Sequence, residues 1–326
     1  MASAREEAAG HAGGLGLSRS ERVALAGLAA LLVFGPFAIY PIFLMNALCF
    51  ALFAAAYNLM IGYVGLMSFG HAAFFGMGSY VGGWTARYWH LDPLLAIAMG
   101  GATGLLMGTA FGWLALRRQG QAIYFATITL ALAQMVYFVC VRATGFTGGE
   151  DGLQQVPRGR LLGLLSLTSD RAMYVVVAAI FLAGFLAIVR VVHSPFGQVL
   201  VAIRENEPRA VSLGYQTRHY KLIATIISCT LSGVAGAMQA IVFGIASLEN
   251  VHFSMSGEVV LMTLTGGMGT LLGPVVGGFL VTAMENYLAP LGNWVNVLQG
   301  IVFVACVLTF RRGIVGVLGA RTGWRL

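Results

Sequence analysis

VALAGLAALLVFGPFAIYPIFLMNALCFALFAAAYNLMIGYVGLMSFGHAAFFGMGSYVGGWTA, residues 23–86, holds no Asp, Glu, Lys or Arg. A helix crosses a bilayer in roughly 20 apolar residues at about 1.5 Å of rise each, so the run holds about three crossings. No soluble core calls for such a stretch. Over the 326 residues the charged fraction is 10% and the hydrophobic fraction 58%, whereas soluble domains carry about a quarter charged residues. The chain reads as an all-α polytopic membrane protein.

Outward from that run, charge-free stretches and Gly/Pro breaks delimit ten expected helices. They are 22–40, 42–62, 66–86, 93–116, 121–141, 172–190, 220–247, 257–270, 273–289 and 294–310. The Gly- and Ser-rich stretches 66–86 and 257–270 are open to a broken or re-entrant reading. Residues 1–21 read as a disordered N-terminal tail, 22–310 as the membrane domain and 311–326 as a C-terminal tail.

Orientation follows from the basic residues. With the N-terminus inside, 14 of the 19 Lys and Arg face the cytoplasm, and Arg87, Arg142, Arg158, Arg160 and Arg171 lie outside. That excess of basic residues in inner loops is the positive-inside pattern, and it puts both termini in the cytoplasm. The net charge of +7 is spread over segment ends, with no patch suited to nucleic acid. Cys49, Cys140, Cys229 and Cys306 lie in apolar segments without CxxC spacing, so they read as small core residues. Neither a metal nor a cofactor is expected.

The loop SPFGQVLVAIRENEPRAVSLGYQTRH, residues 194–219, is the largest polar stretch expected in the cytoplasm. Ser194-Pro195 is a cap followed by the first helical position. Val199, Leu200 and Ile203 follow at helical spacing. Pro208 cannot continue that helix and opens a second, which Gly214 can close. Two short helices with a charged joint at Arg204-Glu205-Asn206-Glu207 suit a docking surface for a soluble partner; a solvated orienting loop is the plainer reading.

Glycine numbers 44 and crowds two stretches. LMSFGHAAFFGMGSYVGG from Leu66 and LMTLTGGMGTLLGPVVGG from Leu261 align without a gap, identical at Leu66/Leu261, Met67/Met262, Gly78/Gly273, Val81/Val276, Gly82/Gly277 and Gly83/Gly278. Small residues let helices pack closely in lipid. Gly-broken segments running oppositely in two halves also mark a transporter's central pathway. Among polar residues within spans, His71 stands in Ser68-Phe69-Gly70-His71 with no carboxylate at matching depth. It reads as a neutral hydrogen-bonding group rather than a proton relay.

Nucleotide use is excluded for this chain. A Walker A loop needs GxxxxGK[ST], and the sole lysine, Lys221, follows Arg218-His219-Tyr220. GxSxG and HExxH are absent as well, so a membrane-embedded enzyme has no support.

Several blocks in order, YNLMIGYVGLMSFGHAAFFGMGSY from Tyr57, LRRQGQAIYFATITLALAQM from Leu116, TGFTGGEDGL from Thr144, the loop from Ser194 and GGMGTLLGPVVGG from Gly266, carry a family resemblance. The chain resembles LivM-like permease subunits of branched-chain amino acid ABC importers over most of residues 40–310. Met67 and Glu150 depart from the usual pattern without disturbing it.

The resemblance implies an inverted-repeat importer bundle in a bacterial inner membrane. Its partners would be a second, LivH-like permease, two ABC ATPase subunits and a periplasmic binding protein that supplies leucine, isoleucine, valine or a related small polar solute. By the same resemblance, Arg204, Glu205, Asn206, Glu207 and Ala210 are candidates for the ATPase contact. Asn58, Ser68, Gly70 and His71 are candidates for the pathway, with Gly266, Gly267 and Gly269 opposite. The loop 143–170 would meet the binding protein. An ion-coupled secondary transporter or channel, and a permease for urea or amides, remain the alternatives.

Overall fold

The computed structural model describes residues 19–117, 122–161, 165–292, 294–309 and 313–322. Helices α1 (Arg19–Ala38), α2 (Pro41–Asn58), α3 (His71–Tyr88), α4 (Pro93–Ala115) and α5 (Ala122–Arg142) make the first half. Helix α6 (Asp170–Val192) leads to the short α7 (Pro195–Glu205) and α8 (Glu207–Ser212). The second half is α9 (Thr217–Phe243), α10 (Phe253–Gly266), α11 (Gly273–Leu288), α12 (Trp294–Thr309) and α13 (Gly313–Thr322). Among the described residues, five helices are long and apolar enough to cross a membrane: α2 with its extension to Val64, α4, α5, α6 and α9.

Proline sets several helix starts. Pro41, Pro93 and Pro195 each open a helix, where a missing N–H costs nothing. Pro36 is different, because it lies inside α1 and deprives the Leu32 carbonyl of its intrahelical donor. The Tyr174 hydroxyl of α6 donates to that carbonyl at 2.8 Å. In an apolar surrounding a freed backbone group must find such a substitute.

Helices α2 and α9 form the centre. From Leu44 to Asn58 almost every residue of α2 is buried, and α9 packs broadly on α3 and α4. The approach of α3 to α9 depends on bare backbone: a Cβ on Gly78 would collide with the backbone of Gly233.

Two ends of the bundle are defined by contacts. At one, the loop end, Arg204 of α7 reaches Gly62, and Asn58 reaches Gly269 and Thr270. At the other, the strap end, residues 143–161 and 165–169 fold over the helix termini as one turn of helix (Thr144–Thr147), a 3-10 turn (Gly149–Asp151) and a two-stranded pair of β1 (Arg160–Leu161) with β2 (Leu165–Ser166). Leu153 pairs with Ala246, Arg87 donates to the Gln154 carbonyl at 2.6 Å, and Arg158 binds Asp170 at 2.5 Å and the Val242 carbonyl at 3.0 Å.

Three expectations change. The segment expected at 66–86 becomes helical only at His71, because Gly65 turns left-handed (φ 78°) and ends the preceding turn. The region taken as a tail from 311 contains α13, which packs on α10 and α11; residues 1–18 of the expected N-terminal tail lie outside the described residues, and α1 already begins at Arg19. The gapless match of 66–83 with 261–278 is not a structural equivalence. It lays the middle of α3 over the start of α11, and both helices leave the loop end. Its identities are Gly, Leu, Met and Val, which any two tightly packed apolar segments share.

Candidate functional site

Helix α2 does not stop cleanly. Its last residues, Leu59–Val64, wind as a π turn, a feature often found at functional positions. The amides of Gly65 and Leu66 both return to the Met60 carbonyl. One turn earlier, Asn58 is buried and uses both ends of its amide on the 267–272 turn. Its Oδ1 accepts from Gly269 N at 2.9 Å, and its Nδ2 donates to the Thr270 carbonyl at 2.9 Å.

Gly62 lies inside this clamp. A Cβ on it would come 2.6 Å from the Gly269 nitrogen and closer still to Asn58 Oδ1. Its carbonyl accepts from Arg204 Nη1, and the stem of Arg204 covers Gly65, where an added Cβ would meet Cγ at 2.7 Å. The hairpin beyond is equally close: Gly266 faces Gly273 and Gly277, and Gly267 packs on Gly313 of α13.

The remaining expected pathway residues form a second group deeper in the bundle. Ser68 Oγ accepts from Gly70 N at 3.3 Å, and Gly70 abuts the Thr129 backbone of α5. His71 is fully buried, with Nε2 at 2.9 Å from Ser228 Oγ. Ser228 donates its single proton to the Ala56 carbonyl at 2.6 Å, so toward His71 it accepts. Nε2 therefore carries the hydrogen, and Nδ1 is a buried atom without a partner. Tyr57 and Phe74 stand edge-on to the ring. This is a neutral ring locked in place, with no carboxylate to relay to. Asn58 thus meets Gly269 directly, whereas Ser68, Gly70 and His71 belong to a separate packing site.

The loop of α7 and α8 is capped as its sequence demands. Ser194 accepts from Gly197 N, and Asn206 accepts from Arg209 N. Leu200, Ile203 and Ala210 are buried, holding the pair against the bundle. Lys221 at the start of α9 binds Glu207 at 2.6 Å. Glu205, Asn206 and Arg209 remain exposed. Of the expected contact residues, Glu205 and Asn206 offer free surface, Glu207 is half spoken for and Ala210 faces inward; Arg204 is exposed over much of its length and gives one guanidinium nitrogen to the Gly62 carbonyl.

Two cavities flank these groups. One of about 380 Å³ lies between Ile61, Gly65, Met67 and Phe69 and the α5 face of Ile123, Ala126, Thr127 and Leu130. The other, about 310 Å³ near the strap end, is lined by Asn46, Gln239, Glu249, Asn250, Glu258 and Glu285 among others. Glu258 and Glu285 stand near the ends of the expected helices 257–270 and 273–289, and no sequence motif joins them.

A family model described as "Branched-chain amino acid transport system / permease component" matches residues 39–307. The high-affinity branched-chain amino acid transport system permease protein LivM of Escherichia coli K12 is 26% identical over 279 residues, 79% of this chain and 65% of that protein. The chain thus spans just under two thirds of that relative's length. LivH of the same strain is 22% identical over 248 residues, 72% of this chain and 80% of that protein. The ribose import permease protein RbsC of Bacillus subtilis is 27% identical over 234 residues, 68% of this chain and 69% of that protein. No solved structure matches.

Proposed function

The chain belongs to the branched-chain amino acid transport system permease family, and on that premise we propose that it is one membrane-spanning subunit of an ATP-driven importer. Family and architecture make it a multi-pass membrane transport component. The observation that carries the finer reading is the α7–α8 pair: an ordered, capped helix pair with an exposed charged joint, on a chain that has no nucleotide-binding loop of its own. A loop needed only for orientation would require a few basic residues and no buried Leu200, Ile203 and Ala210.

In this reading Glu205, Asn206 and the exposed edge of Glu207 face an ATPase chain on the cytoplasmic side. The ten helices α1–α6 and α9–α12 cross a bacterial inner membrane, with both termini inside. Directions support this count. Helices α2 to α5 begin at the strap end and alternate, while α9 to α12 begin at the loop end, so the two sets run in opposite sense as an inverted repeat requires. A LivH-like permease would complete the pathway, two ATPase chains would drive it, and a periplasmic binding protein would deliver solute to the 143–170 loop.

ATP-driven closure of the ATPases moves the α7–α8 loop and rocks the bundle between inward- and outward-open states. Leucine, isoleucine and valine are the proposed solutes. The apolar cavity beside the 65–70 turn suits a branched aliphatic side chain, and the polar cavity near the strap suits a hydrated, charged end. Selection among solutes rests with the binding protein, consistent with a relative named for ribose.

The test is uptake of labelled leucine into vesicles containing this chain with and without its partners, before and after ATP depletion. Uptake is expected only with all partners and ATP. Uptake by this chain alone in depleted vesicles, following an ion gradient, would instead make it a secondary transporter.

A further inference from the structure

The last turn of α2 leaves carbonyls without intrahelical donors, because the Gly65 and Leu66 amides both return to Met60. A helix C-terminus is the negative end of the dipole and favours a cation. Arg204 supplies it, from a position 142 residues away in sequence, by donating to the Gly62 carbonyl. Asn58 holds the same turn to Gly269 and Thr270. Three elements therefore meet on one stretch of bare backbone: α7 of the exposed loop, the end of α2, and the turn joining α10 to α11. Arg204 has no carboxylate partner among the described residues.

We infer that Arg204 is a positioning residue that carries displacement of α7 into the Asn58-clamped junction of α2 with the α10–α11 turn. The inference rests on the permease reading. It assigns the guanidinium bond of the exposed Arg204 to the bundle and leaves docking to Glu205 and Asn206. The α7–α8 pair keeps independent anchors in Leu200, Ile203 and the Lys221–Glu207 pair, so loss of Arg204 disconnects the junction without freeing the loop. If those apolar contacts transmitted the movement, Arg204 would be dispensable. A backbone carbonyl and a guanidinium form a directional, charge-assisted bond that can pull as well as push, which apolar contact cannot do.

The experiment uses the complete importer reconstituted in liposomes, with ATP hydrolysis, leucine uptake and ATPase co-purification measured on one preparation. Wild type is first required to show ATP-dependent leucine uptake; ATP-independent uptake would overturn the permease reading and this inference with it. For Arg204→Ala, leucine moved per ATP is expected to fall by about tenfold, with ATPase co-purification retained and hydrolysis changed by less than about threefold. Arg204→Met keeps a stem over Gly65 and removes the donors, and it is expected to behave like the alanine variant even if the latter assembles poorly. Arg204→Lys, with one donor for the Gly62 carbonyl, is expected to recover part of the coupling. Wild-type coupling in Arg204→Met, or loss of ATPase co-purification in Arg204→Met, would overturn the inference, the second result making Arg204 a docking residue.

Discussion

The two ends of the bundle use the same chemistry to opposite effect. At the strap end Arg158 gives one nitrogen to Asp170 and another to the Val242 carbonyl, and Arg87 gives one to the Gln154 carbonyl. These bonds fasten a loop over helix termini, and the carboxylate of Asp170 neutralises the cation between them. At the loop end, among the described residues, Arg204 donates to the Gly62 carbonyl without a carboxylate and Asn58 binds backbone atoms only. Such ties join turns that belong to different helices. The strap end is fastened; the loop end is linked through backbone atoms, with the Lys221–Glu207 pair seating the loop beside the link.

The strongest break in that contrast comes from reversing the Lys221–Glu207 ion pair at the loop end. Glu207→Arg sets a cation against Lys221, which is largely buried, so the α7–α8 pair cannot seat. Uptake is expected to be abolished with membrane insertion intact, checked by transport assay beside a quantified membrane fraction. Gly62→Ala is the next largest. Alanine is the better helix former by about 1 kcal/mol, yet its Cβ has no room against Asn58 and Gly269. Uptake is expected to fall about tenfold with expression unchanged, which separates steric loss of the clamp from loss of helix. Arg158→Ala should have the smallest effect on transport. It removes a partly exposed pair and one charge-assisted bond worth roughly 1–2 kcal/mol. A lower melting temperature with uptake within about twofold of wild type is expected. An uptake loss matching that of Gly62→Ala would erase the distinction between the ends.

Much of this was legible beforehand, for identifiable reasons. Pro41, Pro93 and Pro195 announce helix starts wherever they stand, and Ser194 and Asn206 cap the helices they precede. His71 was readable as neutral because no acid stood near it in sequence, and its bond to Ser228 agrees. The Asn58 clamp was not legible, since its partners are backbone atoms more than 200 positions away and leave no side-chain signature. Glycine misled for the same reason: Gly78 and Gly273 look alike as letters, but one packs mid-helix on Gly233 and the other opens a helix beside Gly267.

Sequence alone determined that this chain lives in a membrane, where prolines open its helices and that it carries no Walker A motif. Each of those depends on local terms: transfer of a segment from water to lipid, a missing proline N–H, a motif of adjacent residues. Only the tertiary structure decided that Arg204 bonds the Gly62 carbonyl, that Asn58 closes on Gly269, and that Glu258 and Glu285 share a cavity. Those contacts depend on which helices meet, and bare glycine backbone accepts a neighbour without recording in its sequence which one it will be.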